Sequence, residues 1–76
     1  MPEYEIISDG AGIIIDGFLV DTAGMDLDNP EVKKAIRQIK IWIDEYKTEG
    51  ITSDDCTFTI DIINNKVQPA VEFNDW

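Results

Sequence analysis

Apolar and polar positions along this chain alternate with a period of two, then recur at spacings of three and four, then return to a period of two. That succession predicts strands, one helix and strands again. Residues 3 to 8 read Glu-Tyr-Glu-Ile-Ile-Ser and run into Asp9-Gly10-Ala11-Gly12, a first strand followed by a Gly-rich turn. Ile13 to Ile15 and Phe18 to Val20 then flank Asp16-Gly17. A two-residue Asp-Gly loop between apolar runs is a strong hairpin signal, because both turn positions need φ > 0. The second and third strands are expected there, with Asp21 to Leu27 as a loop leading onward.

The helical segment carries its own punctuation. Asp28 or Asn29 supplies an N-cap, Pro30 suits the first turn, and Glu31 stands three residues after Asp28 as in a capping box. Val32, Ala35, Ile36, Ile39, Trp42, Ile43 and Tyr46 form one stripe. Gly50 ends the helix, with Ile51 where a Schellman motif makes its hydrophobic contact. Residues 56 to 63 alternate again, Cys56, Phe58, Ile60 and Ile62 against Thr57, Thr59 and Asp61. Asn64-Asn65 turns the chain into a last strand holding Val67, Val71 and Phe73, and Pro69, which has no N–H for a ladder, marks that strand as an edge. The expected fold is α+β: an antiparallel sheet of about five short strands, ordered β-β-β-α-β-β, with one helix packed on one face, in a single domain spanning residues 1–76.

Turn lengths assign the faces of the sheet. With Asp16-Gly17 as a two-residue loop, Ile15 opposes Phe18 and Ile13 opposes Val20 on the side under the helix, and a four-residue loop at Asp9 to Gly12 adds Ile6 to that side. The other face then displays Ile7, Ile14 and Leu19, joined by Ile63 if its strand aligns, within a frame of Glu5, Asp61 and Glu72. An apolar cluster in an acidic frame is the pattern of a partner-binding surface. The competing reading is a register displaced by one, or a few exposed aliphatics of the ordinary kind.

Charge sharpens this picture. The first 32 residues hold eight carboxylates and no Lys or Arg, while Lys33, Lys34, Arg37, Lys40 and Lys47 fall on the helix and Lys66 stands apart. The net charge is −10, so everything outside the helix presents a nearly unbroken negative surface, Asp16 at the hairpin included. Such a field steers association with basic partners and opposes phosphate backbones, which argues against direct nucleic-acid binding. An apolar content of 43% is too high for the signature of disorder. On the helix, Lys33, Lys34 and Arg37 precede Asp44, Glu45 and Glu49, an order that opposes the macrodipole. Ile41 projects between Arg37 and Glu45, away from the apolar stripe.

Chemistry-bearing residues are few. There is no histidine, which removes Ser-His-Asp and Cys-His arrangements. Cys56 lies on the same side of its strand as Phe58 and Ile60 and reads as a packing residue. Asp21, Asp26, Asp28 and Glu31 cluster before the helix, but without EF-hand spacing, and as N-terminal acids they suit the helix dipole. No catalytic residue, cofactor or metal site is expected. The longest apolar runs are too short for a membrane span, and Met-Pro-Glu-Tyr-Glu lacks the basic region of a signal peptide. The expected location is therefore cytoplasmic, and a single cysteine, which permits no internal disulfide, agrees with a reducing compartment.

Two functions are compatible with these residues. One is a stoichiometric inhibitor or immunity-type protein that docks its acidic face, through Glu5, Ile7, Ile14, Asp16, Leu19, Asp61 and Glu72, on a basic protein surface such as the groove of a nucleic-acid-handling enzyme. In size and acidity, though in no motif, the chain is similar to the small DNA-mimicking inhibitors and immunity proteins encoded by phages and bacteria. The alternative is an assembly module that self-associates, as a homodimer for example, through the open sheet face or the edge strand.

Overall fold

Two pairs of residues in the left-handed backbone region set the hairpins that span residues 12–21 and 56–73. Asp16 (φ 51°) and Gly17 (φ 84°) join one, Asn64 (φ 53°) and Asn65 (φ 64°) the other. Positive φ at both central positions is what a two-residue turn needs to match strand twist, and Asn, Asp and Gly tolerate it best. The computed structural model describes residues 4–6 and 12–74. Its elements are β1 (Glu5–Ile6), β2 (Gly12–Ile15), β3 (Phe18–Asp21), α1 (Pro30–Thr48), β4 (Cys56–Ile63) and β5 (Lys66–Phe73). The expected order β-β-β-α-β-β and the α+β class are thus present. Ile7 and the turn expected at residues 9 to 11 lie outside the described residues, and Gly12 belongs to β2.

The sheet runs β1-β2-β3-β4-β5, with β2 to β5 carrying most of it and the two-residue β1 at one margin. It is mixed, which corrects the expected antiparallel sheet: β3 and β4 pair in parallel, Val20 with Phe58 and Asp21 with Thr59. The reason is the helix. It carries the chain back along the sheet between the two strands, so β4 enters in the direction of β3, as any crossover to a neighbouring parallel strand requires. The remaining pairs, β1–β2, β2–β3 and β4–β5, are antiparallel.

The helix begins and ends by identifiable local chemistry. Asn29 is the N-cap, its Oδ1 accepting the Glu31 N–H at 2.8 Å. Asp28 stands one residue too early to cap, and its own N–H donates to Asp26 Oδ1 at 2.9 Å. At the other end the Ile51 N–H reaches the Tyr46 carbonyl at 2.9 Å and the Gly50 N–H the Lys47 carbonyl at 3.1 Å. Gly50 at φ 84° completes the Schellman motif, whose αL position costs glycine no Cβ clash.

Under the helix, Val32, Ala35, Ile36, Ile39 and Ile43 meet Ile13, Ile15, Phe18, Val20, Cys56, Phe58 and Ile60 in one core. Phe58 is its centre: Phe18 meets its ring edge-on at 6.0 Å, and Tyr46 stacks on it at 5.8 Å. Ile6 pairs with Ile13 and so shares the helix side, but it lies beyond the cover of the helix and stays 66% exposed. Gly12 is needed for close approach, since a Cβ there would collide with the Val20 carbonyl oxygen across the hairpin.

Candidate protein-binding surfaces

Because Ile13, Val20 and Phe58 point to the core, their neighbours in each strand point the other way. Ile14 faces Leu19 directly across the β2–β3 ladder, and the Cα of Glu5 pairs with Ile14 on the other flank. The β3–β4 offset sets Thr57 beside Leu19, and Thr57 pairs with Glu72. One row therefore crosses the open face as Ile14, Leu19, Thr57 and Glu72. A second row holds Gly12, Asp21, Thr59 and Ala70, and beyond it Asp61 pairs with Gln68 and Ile63 with Lys66. Ile14 is half-buried and Leu19 is 43% exposed.

The expected site is brought together in part. Ile14, Leu19 and Glu72 share a row, with the backbone of Glu5 alongside. Ile7 lies outside the described residues. Ile63 does not join the cluster: it is six residues beyond Thr57 along β4, about 20 Å at the rise of a strand, because the β4–β5 hairpin extends past the end of β3 at Asp21. For the same reason Asp61 lies beyond Asp21 and not beside Leu19. Asp16 belongs to the other side of the molecule. Its Oδ2 accepts from Lys47 Nζ at 3.2 Å, tying the β2–β3 turn to the end of the helix through a half-exposed pair, worth at most about 1 kcal/mol. Asp21, which sequence reasoning assigned to a loop, is the acid nearest the apolar pair along β3, and its Oδ1 accepts the Ala23 N–H at 2.9 Å.

A second surface lies on the helix side. The first half of α1 and the outer strand β5 enclose an open groove of about 880 Å³, lined by Glu31, Lys34, Ala35, Arg37, Gln38, Ile41, Trp42, Lys66, Val67, Gln68 and Pro69. Sequence reasoning noted the basic half of the helix and the outlying Ile41 without joining them to Lys66 and Pro69. Only the strand order, which puts β5 alongside the helix, makes them neighbours.

Other chemistry is restricted. Cys56 is buried, and burial first, then the Asp55 carboxylate, pushes its thiol up. Among the described residues no group of three His, Cys, Asp or Glu side chains converges as a metal site, and no helix is long and apolar enough to cross a membrane. No family model matches the chain, and searches of the curated proteins and of the solved structures return no match.

Proposed function

We propose that this protein is a non-catalytic, acidic protein-binding domain whose open sheet face docks on a basic protein surface, as a stoichiometric inhibitor of a nucleic-acid-handling enzyme would. One observation carries the reading. The helix, with five of the six basic residues, covers one face of the sheet, and the opposite face sets the apolar pair Ile14–Leu19 with Asp21 next along β3 and Glu72 at the end of its row, Asp61 farther along β4 and Lys66 at the far tip. An apolar centre with an acidic rim supplies burial at the middle of an interface and electrostatic steering at its margin. Phosphate-binding grooves present the complementary charge, which is the basis for an inhibitor of the DNA-mimicking kind.

Self-association through the same face is the second reading, supported by the exposed Ile14–Leu19 pair. The β5 edge supports it less, since Pro69 and Lys66 are the residues that blunt a strand edge against pairing with another chain. The test is affinity capture with the whole chain, run beside the triple reversal Asp21→Lys, Asp61→Lys and Glu72→Lys. The proposal expects a basic protein retained by the natural chain, released by salt and not retained by the reversed one. Equal retention by both chains would remove the sheet face from the proposal, and concentration-dependent dimerisation abolished by Leu19→Ser would replace the inhibitor by the assembly module.

A further inference from the structure

The groove between α1 and β5 faces away from the acidic sheet surface, and its charge is inverted relative to the molecule. Three of the six bases, Lys34, Arg37 and Lys66, border it, against the single acid Glu31. None of the three side chains makes a hydrogen bond or ion pair among the described residues, although the chain carries sixteen carboxylates. Between these bases the lining is mixed, Gln38 and Gln68 standing beside the apolar Ala35, Ile41, Trp42, Val67 and Pro69. Ile41 is 54% exposed, and Trp42 and Pro69 are half-buried. Lys34 and Arg37 are three residues apart, so they project from neighbouring positions on one side of the helix. Lys66, at the start of β5, borders the groove at the strand edge, although its ladder position opposite Ile63 belongs to the open face.

From this charge complementarity we propose that the groove binds a short acidic peptide segment of a partner protein, seating one or two apolar side chains against Ile41, Trp42 and Pro69 while its carboxylates pair with Lys34, Arg37 and Lys66. The length of the ligand is constrained by charge. A segment confined to the groove meets local positive potential within a Debye length of about 10 Å. A long polyanion such as nucleic acid would run out over a molecule of net charge −10 and be repelled. A second copy of this chain brings its own −10 to the encounter. The arginine supplies a planar fork for a carboxylate, and the two lysines act as mobile point charges around it.

The whole chain, isotope-labelled and followed by NMR, tests this with a set of synthetic peptides in which a Leu-Phe pair is flanked by glutamates. The same peptides with lysine flanks and a twelve-nucleotide single-stranded DNA serve as comparison probes. The proposal expects saturable shifts confined to residues 31 to 42 and 66 to 69 with the acidic set, weakened at least tenfold by Lys34→Glu with Arg37→Glu and several-fold by Ile41→Ser. The lysine-flanked set should produce none of these shifts. Unchanged dispersion of the core methyl signals establishes that the variants are folded. Lys66→Glu, on the other element, gives an independent reading if the helix variants lose structure. No shift with any acidic peptide, tighter binding of the DNA, or the same shifts on raising protein concentration alone would each overturn the proposal. Failure of the sheet-face proposal leaves this result untouched, because the charge reversals that test the two surfaces share no residue.

Discussion

The indole of Trp42 stacks on the ring of Phe58, centroids 6.3 Å apart and planes 20° from parallel, and the same indole lines the groove between α1 and β5. One side chain thus joins the centre of the core to the groove beside β5. Phe58 is completely buried, and Tyr46 on the next helical turn stacks on it as well. Removing the indole therefore opens the groove floor and strips an aromatic contact from the core at once. Trp42→Ala should cost about 2–4 kcal/mol, toward the lower part of the range for large aromatic truncations because the residue is only half-buried. Trp42→Phe, which keeps a stacked ring, should recover most of that loss in chemical denaturation.

Adjacent residues on β2 separate core from surface. Ile13 is fully buried under the helix, whereas Ile14 is half-buried and looks out from the open face. Ile13→Ala should cost about 2–5 kcal/mol, as much as the whole stability of many domains of this size, and leave the chain largely unfolded. Ile14→Ala should leave a cooperative unfolding transition shifted by about 1 kcal/mol or less. Circular dichroism against urea checks both, and equal losses would contradict the assignment of faces.

How far this architecture was legible beforehand depends on the range of the interaction that fixes each part. The hairpin at Asp16-Gly17, the helix with its Gly50 terminus and the Asn64-Asn65 turn follow from local backbone preferences, so the residues themselves announce them. The Ile13–Val20 and Ile15–Phe18 pairs follow from loop length alone. The direction of β4 relative to β3 is fixed by how the helix crosses the sheet, which no local pattern encodes, and the parallel pair was missed for that reason. Placement along β4 failed likewise: Ile63 and Asp61 have the expected face, but the length of the β4–β5 hairpin carries them away from Leu19. Asp16 read as one more surface acid until the fold brought Lys47 to it. The groove unites helix and strand residues that are about thirty positions apart, and no spacing rule joins them.

Gly12 provides a test of the β2–β3 approach. A Cβ at this position would run into the Val20 carbonyl oxygen, and backbone cannot move aside as a flexible side chain can. Gly12→Ala should therefore destabilise by about 1–3 kcal/mol, the range for overpacking, even though alanine lowers the entropy of the unfolded chain. Gly17→Ala, at φ 84° with open space around it, should cost less, about 1 kcal/mol of left-handed strain.

Alkaline pH should weaken the fold in a defined order. The Cys56 thiol is raised by burial and then by Asp55, so the folded state holds this proton more tightly than the unfolded chain, whose thiol titrates near about 8.5. The associated stability is complete below that pH and is lost as pH rises from there through the folded-state value. Tyr46 is raised in the same sense, by burial first and then by Cys56, Glu45 and Glu49, and its contribution declines from about pH 10 upward. Urea midpoints should thus begin to fall above about pH 8.5. Cys56→Ala should be less stable at neutral pH yet show no decline until tyrosine titrates. A decline of the same size and onset in that variant would assign the alkaline loss to other groups.

Charge on the open face should govern the rate of partner association more than its lifetime. Asp21, Asp61 and Glu72 stand on the exposed side of β3, β4 and β5, where rim charges act mainly by steering the encounter. Reversing all three changes the net charge from −10 to −4 and removes the acids that border the open face. Stopped-flow measurement with the captured basic partner should show association slowed at least tenfold at low salt, with the gap narrowing as salt screens the field. Leu19→Ser should act oppositely, leaving the association rate nearly unchanged and accelerating dissociation, since it removes buried contact and no charge. The Lys34→Glu, Arg37→Glu pair makes the molecule more negative by four charges without touching the sheet face, so with a basic partner it should hold or modestly raise the association rate. If that helix variant abolishes association and the sheet variant does not, the partner docks at the groove side, and the acids of the open face serve solubility.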